Sequence, residues 1–273
     1  MRKQVMIFVA ALGLLTGEGR AASLAELASG ASCLIGPNHS YKLAMPAPGA
    51  LAVVNVERSD KVAKGDIIAQ LESGVEQSQV EAARVRASTD VQIRFKTAVA
   101  DSAAAKAERL GRLRAAAITN QQTLEDAEAA ANAAKAEVEQ AMLDKKMAGF
   151  DLKRLEATLE RRTLRAPANG VITAVDLHTG EFADPANPIV TLTEIDPLRV
   201  DVYLPAAAYP LVAVGAHARI TPKEPSNERR EAEVITKDPQ IDASSGLFLV
   251  QLRLPNPGGI LPAGVRCEVE FEN

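Results

Sequence analysis

From Gly74 to Arg162 the apolar residues recur in threes and fours, while on either side of that stretch they alternate in twos. No proline falls between Pro48 and Pro167, and residues 74–162 are rich in Ala, Glu, Lys, Arg and Gln, the strong helix formers. In the second half of this stretch a seam runs through Leu124, Ala127, Ala131, Ala134, Val138, Ala141, Lys145, Ala148, Leu152, Leu155, Leu159 and Arg162. It is polar only at Lys145 and Arg162. Heptad spacing sustained this long predicts coiled-coil packing. The first half is less regular, with Val80, Ala83, Ala87, Val91, Phe95 and Ala98, then Leu110, Leu113 and Ala117. The simplest partner for one arm is the other, folded back antiparallel at "RAAAITNQQTLEDAEAA". There Thr119 with Gln122 offers a capping box, and Asn120 is a good N-cap. Arms of roughly 42 residues would project about 60 Å at 1.5 Å per residue. So much alanine on the seam implies closely approaching helices. A plainer reading, a solvated spacer, stays open beside it.

Outside the helical stretch, prolines cluster with Val, Ile and Thr in short alternating runs that read as strands. The order is β, long helix, β, an α+β chain. Aromatics make up 3% of the residues and Trp is absent, which suits a long Ala-rich helical piece better than one globule. At the start, Arg2 and Lys3 precede an apolar run from Val5 to Leu15 and then small residues, the pattern of a secretory signal cleaved after Ala21. Cys33 lies too far downstream of this leader to carry a lipid. The net charge of −4 offers no basic footprint for nucleic acid. Cys33 and Cys267 are the only cysteines. In an exported chain they are either bonded to one another or two buried thiols. His39, His178 and His217 are far apart and lack ligand-like neighbours. Met45, Met142 and Met147 are too scattered for a copper site. No catalytic, metal-binding or cofactor-binding residues are expected.

Two stretches flanking the helices belong together. "VERSDKVAKGDIIAQLES" (Val56 to Ser73) and "TLRAPANGVITAV" (Thr163 to Val175) resemble the two halves of a lipoyl or biotinyl carrier domain. Lys61, Val62, Gly65, Asp66, Ile67, Ile68 and Leu71 match the first half, and Ala166, Pro167, Gly170 and Val171 the second. In such domains a modified lysine sits in the hairpin between the halves. Here Glu72 leads through Ser73 and Gly74 into the helices, with no such lysine. Lys61 lies in the wrong turn and reads as a surface charge.

A carrier-like domain split by a helical hairpin resembles the periplasmic adaptors, or membrane fusion proteins, of Gram-negative tripartite efflux systems, the HlyD-like family. "DPLRVDVYLPAAAYPLVAVGAHARITP" (Asp196 to Pro222) is similar to the family's first barrel strands, with a turn at Val214 and Gly215. Asp242 and Ser245 occupy its usual turn. Asn256, Pro257, Leu261, Pro262, Ala263 and Gly264 match a strand connection. The resemblance implies an elongated α+β chain of six parts: signal peptide 1–21, N-terminal segment 22–40, lipoyl-like halves 41–73 and 163–196, an antiparallel α-helical coiled-coil hairpin 74–162, and a small β-barrel 197–273. A membrane-proximal domain found in many members is not expected after the barrel. The implied role is non-catalytic and without cofactors. It is to link an inner-membrane transporter, of the resistance-nodulation-division (RND) type, to a TolC-like outer-membrane channel. The location would be the periplasm beside the inner membrane, and the assembly a homo-oligomeric ring, a trimer or hexamer. An ABC-type exporter as partner, or a carrier subunit of an enzyme complex, are the alternatives. Family members that contact the channel carry Arg, then Leu, then often Ser at the apex. Here Arg109 and Leu113 fit that pattern and Asn120 stands in place of the serine. The resemblance assigns these three to partner binding.

Overall fold

The structure, a computed structural model, describes residues 23–272, so the leader expected over residues 1–21 lies outside the described residues. First come helix α1 (Leu24–Ala28) and strands β1 (Ser32–Leu43), β2 (Gly49–Val54), β3 (Lys61–Val62) and β4 (Ile67–Leu71). Helices α2 (Gly74–Ser88), α3 (Val91–Ala115) and α4 (Gln121–Glu160) follow. Strands β5 (Thr163–Arg165), β6 (Gly170–Val175), β7 (Phe182–Ala183) and β8 (Val190–Pro205) come next. The chain finishes with β9 (His217–Pro222), β10 (Arg230–Lys237), β11 (Leu247–Leu254) and β12 (Val265–Phe271). The described residues divide into two units, one of residues 39–194 and one of residues 23–38 with 195–272. The divisions fall inside β1 and β8. The N-terminal segment lies, from residue 23 as far as Asn38, in one unit with the C-terminal strands.

In the C-terminal unit, β1, β12, β9, β10, β11 and β8 pair in that order, and β1 pairs β8 as well, closing a barrel. Alternate residues point inward, as the two-residue period of a strand requires. Val200, Val202, Leu204, Ile220, Val234, Val250 and Leu252 are all completely buried. Cys33 on β1 stands opposite Cys267 on β12. Their Cα atoms are 5.0 Å apart and their sulfurs are bonded. Asn256 is a fully buried polar residue. Its Nδ2 donates to the carbonyls of Ile195 and Leu261, at 2.8 and 2.9 Å, and its Oδ1 accepts from Leu261 N–H at 2.9 Å. Every polar atom of that side chain is used, which is what makes its burial tolerable.

In the other unit, β2 pairs β4 and β7, β4 pairs β5, β3 pairs β6, and β6 pairs the first part of β8. Strands from before the helices thus alternate with strands from after them. Their shared core holds Leu51, Val56, Val62, Ile68 and Leu71 together with Leu164, Ile172, Val190 and Leu192. Ile67 and Val171 are only half-buried and lie outside this cluster, because each precedes an inward residue and so takes the other face. Gly170 is required where it stands. A Cβ there would lie 2.5 Å from the carbonyl oxygen of Thr193 on the paired strand.

The helices depart from a single ascending arm. α2 and α3 both pack against α4, but they are separated by Thr89, which is extended at φ −82° and ψ 135°, and by Asp90. Beyond Glu76 at its start, the buried or half-buried positions on α2 are Val80, Ala83 and Ala87. An unbroken helix would carry that face on to Val91, Phe95 and Ala98, as the spacing predicts. The break re-phases the helix, and Ile93, Lys96, Ala100, Ala104, Ala107 and Leu110 turn inward instead, while Val91, Phe95 and Ala98 are exposed. α4 has no break. Along it every residue of the seam from Leu124 to Leu159 is buried or half-buried. Lys145, the polar member within the helix, faces the break and pairs with the carboxylate of Asp90.

Ile68 is wholly buried between strands from both sides of the helical insertion. Ile68→Ala should cost about 2–5 kcal/mol, read as a lowered midpoint in urea. A loss too small to measure would mean that the two halves do not share one core.

Candidate functional site

The apex is built by two capping devices that meet. At the end of α3, Ile118 N–H donates to the carbonyl of Leu113 and Ala117 N–H to that of Arg114, both at 2.9 Å. This is a Schellman closure, and its left-handed position is filled by Ala117, at φ 62°, where glycine is the usual occupant. Three residues later Asn120 begins α4. Its Oδ1 accepts from the N–H and from the hydroxyl of Thr123, each at 2.7 Å. The cap is therefore Asn120, and Thr119 with Gln122 does not form the capping box. With Oδ1 committed to the helix, the Nδ2 of Asn120 is the part of the side chain left to face outward.

Below the turn, the arms approach closely at Gly111, where an added Cβ would touch Leu124 at 3.9 Å. Leu113 and Leu124 are half-buried there, and Arg109 and Asn120 are exposed. The three residues expected at the tip thus lie within the last turns of the hairpin, but in different settings. Leu113 belongs mostly to the seam, whereas Arg109 offers its whole guanidinium. Among the described residues, Arg112 pairs with Glu108 at 2.7 Å, while no ion pair forms at Arg109 or Arg114. The apex therefore carries two arginines without an ion-pair partner, and of these Arg114, in the last turn of α3, also favours the negative end of the helix dipole.

Ile118 was not among the expected tip residues. It is 71% exposed, pushed outward by the left-handed turn at Ala117. The available signal was a branched apolar residue inside a segment otherwise made of small and polar turn residues. The exposed tip is then one large apolar side chain flanked by Ala115, Ala116 and Ala117, with Arg109 and Arg114 below it. No group of His, Cys, Asp and Glu suited to a metal ion occurs among the described residues. What this arrangement can do is bind. It offers an apolar point and cations with a fixed-fork geometry suited to carboxylates or carbonyls.

The hairpin is fastened at its other end by Arg162. Its Nη1 donates to the carbonyl of Pro48 at 2.8 Å and its Nη2 to Glu76 Oε1 at 2.5 Å. Arg161 adds a bond to the carbonyl of Pro46 at 2.6 Å.

No protein-family model matches the chain. Nodulation protein NolF of Rhizobium meliloti is 25% identical over 210 residues, 77% of this chain and 54% of that protein. The chain spans about half the length of the curated relatives it matches. Among solved structures, MacA from Actinobacillus actinomycetemcomitans superposes with a TM-score of 0.73 at 20% identity, over 88% of this chain and 76% of that one. The membrane fusion protein Spr0693 from Streptococcus pneumoniae R6 superposes with a TM-score of 0.61 at 14% identity, over 89% and 97%. The chain has the fold of MacA and of the membrane fusion protein Spr0693.

Two outcomes follow from the root and the apex. The Glu76 carboxyl is held below its ordinary value of 4.5, first by a backbone N–H at the start of α2 and then by Arg162. A carboxyl with a depressed folded pKa stabilises fully above its unfolded value and loses that contribution as pH falls through the folded one. Glu76→Gln should therefore cost about 1 kcal/mol at pH 7. The gap to the parent protein should close as urea melts are repeated below about pH 4.5. A gap that is constant down to pH 3 would exclude the ion pair as its source. At the apex, Ala117→Gly should relieve the left-handed strain and stabilise the helices by about 0.5–1 kcal/mol, seen by far-UV circular dichroism. Ala116→Gly, where φ is −83°, should instead lose stability.

Proposed function

We propose that this chain is a periplasmic adaptor that couples an inner-membrane transporter to an outer-membrane exit channel, with the hairpin apex as the channel-docking end. The observation that carries this reading is the apex itself. An exposed apolar residue and two arginines without carboxylate partners stand at the end of a helix pair inserted into a split β unit. Exposed apolar and arginine side chains brought together are what a protein interface uses for anchoring. The split unit is read as a lipoyl-like domain that has exchanged its modified lysine for the hairpin, and the closed barrel as the part facing the transporter. The transporter is taken to be of the RND type. The protein performs no chemistry, and it would reach the periplasm by the leader over residues 1–21. The membrane fusion protein fold, the motif order along the chain and the placement of Arg109 and Asn120 at the apex all support the reading.

Export of a pump substrate from cells carrying single variants tests it, with protein levels measured alongside. Arg109→Asp and Ile118→Asp should each bring export down to that of cells lacking the protein. Neither change should alter folding by more than about 0.5 kcal/mol, since both sites are exposed. Asn120→Ser should keep both cap and export. Normal export by the combined Arg109→Asp, Ile118→Asp variant would remove the apex from the mechanism and leave the hairpin as a spacer.

A further inference from the structure

Strand β12 is paired along the whole of one edge and along only part of the other. On the β9 side its partners run from Cys267, opposite Pro222, to Phe271, opposite Ala218. On the β1 side they stop at Cys267: Ile35 stands opposite Val265, Leu34 opposite Arg266 and Cys33 opposite Cys267. Ahead of Ser32 the chain belongs to α1 and the turn after it, so β1 does not continue beside residues 268–271. The backbone groups left over can be named. In an antiparallel pair, alternate residues exchange hydrogen bonds with one neighbouring strand, and those between them face the other way. Lys223 N–H donates to the carbonyl of Arg266 at 2.9 Å, and Glu272 N–H to that of His217 at 3.1 Å. Arg266, Glu268, Glu270 and Glu272 therefore bond toward β9. Val269 and Phe271 aim their N–H and carbonyl groups at the open edge. Among the described residues no backbone hydrogen bond meets them there.

A groove of about 880 Å³ runs along this edge. One wall is β12 from Cys267 onward, and the other is Ala25, Ala28, Ser29, Gly30 and Ala31. An added strand lies about 4.8 Å from its neighbour, and a wall of such small residues leaves a backbone room to come that close. Glu268, Glu270 and Glu272 are spaced two apart, so they share the outer face of the strand. They pair with Lys223 at 3.3 Å, Arg229 at 3.8 Å and Arg219 at 2.7 Å. All three cations come from β9 or from the connection that follows it. Among the described residues, none reaches these carboxylates from the open side. The last paired position is fixed, because Cys267 is bonded to Cys33.

We propose that this edge binds an extended segment of another protein by strand addition, a segment that alternates basic with small residues. Its main chain bonds to Val269 and Phe271. In strand addition the main-chain bonds supply affinity, and the alternate side chains supply specificity. The basic side chains lie across from Glu268, Glu270 and Glu272, where opposite charges on facing strands attract. The small ones turn to the inner side, as Val269 and Phe271 do, and meet the α1 wall. A second copy of this edge is a poor occupant, because it would set carboxylates against carboxylates. The inference does not rest on the adaptor reading, since it concerns one strand edge and the peptide it accepts.

Fluorescence anisotropy of a labelled synthetic peptide of alternating lysine and alanine, titrated with the purified chain to about 1 mM, tests it. Binding should saturate. The alanines stand opposite Val269 and Phe271, so N-methylating them removes the strand bonds and should weaken binding at least about tenfold. N-methylating the lysines instead, whose N–H groups face away, should leave binding unchanged. Glu270→Lys reverses an exposed charge, and Ala25→Trp fills the groove from its α1 wall. Each should also weaken binding at least about tenfold, with circular dichroism unaltered. Hydrogen exchange over residues 268–272 should slow when the peptide is added. No saturation, equal binding of the two methylated peptides, or binding indifferent to Glu270→Lys would each overturn the proposal. Peptide binding is read on the purified chain, so its failure would leave the adaptor reading standing.

Discussion

Arg162 occupies the corner where α4 gives way to β5, and its guanidinium joins two distant pieces of chain, the Pro48 carbonyl before β2 and Glu76 in the first turn of α2. The carbonyl of Arg162 also accepts from Leu71 N–H at 2.8 Å, so the last residue of β4 and the end of α4 are tied together at the backbone. A helical insertion of this length can leave a small β unit only if its entry and exit strands stay side by side. Here β4 and β5 pair directly, and the Arg162–Glu76 pair sets the helices on that doorway. The pair is largely sheltered, with side-chain exposures of 23% and 16%, so it is less screened than the ion pairs farther out on the helices. Gly49 is part of the same corner. A Cβ there would come within 2.9 Å of the guanidinium.

Beyond the root, the hairpin is held by little apolar area. Its buried seam is mostly alanine, including Ala100, Ala127, Ala131 and Ala134, which lets the helices approach closely but contributes little hydrophobic free energy per residue. Register must then come from polar pairs between the arms: Arg84 with Glu156, Asp90 with Lys145, and Lys96 with Glu137. Lys145 is informative because it stands at a seam position where an apolar residue would pack best. It faces the two-residue break in the other arm and meets Asp90 there. Asp90 makes no cap bond to its own helix, so its carboxylate is free for the lysine. The break and the lysine form one feature, and together they decide which face of α3 is turned to solvent.

At the far end the same economy holds. The turn is closed by backbone bonds and one asparagine cap, with no buried side chain in it, so the apex presents what surrounds it. A left-handed alanine, where glycine would cost less, places Ile118 in water. Strain of this kind persists only where the surroundings fix it, and here the Schellman bonds and the Asn120 cap fix it from both sides.

Much of this was legible in the sequence because it depends on local spacing. The α4 seam from Leu124 onward follows from the 3.5-residue repeat. Asn120 is readable as a cap from its place before a helical run, and Val62, Ile68, Ile172 and Leu192 are readable as core from strand alternation. The motif at Asp242 marks a turn because its side chain bonds to neighbours a few residues away, Ser244 and Ser245. What the sequence by itself could not decide depends on residues brought together from afar. Val91, Phe95 and Ala98 continue a periodic pattern, yet they face solvent because Thr89 leaves the helix where Lys145, on the other arm, receives Asp90. Cys33 and Cys267 meet because β1 and β12 pair in a register that neither segment contains alone. Ile118 is outward only because Ala117 is left-handed, a conformation that composition gives no reason to expect of alanine. Periodicity reports the phase of one helix at a time. Where that phase is reset, and what then faces outward, is settled by the partner across the seam.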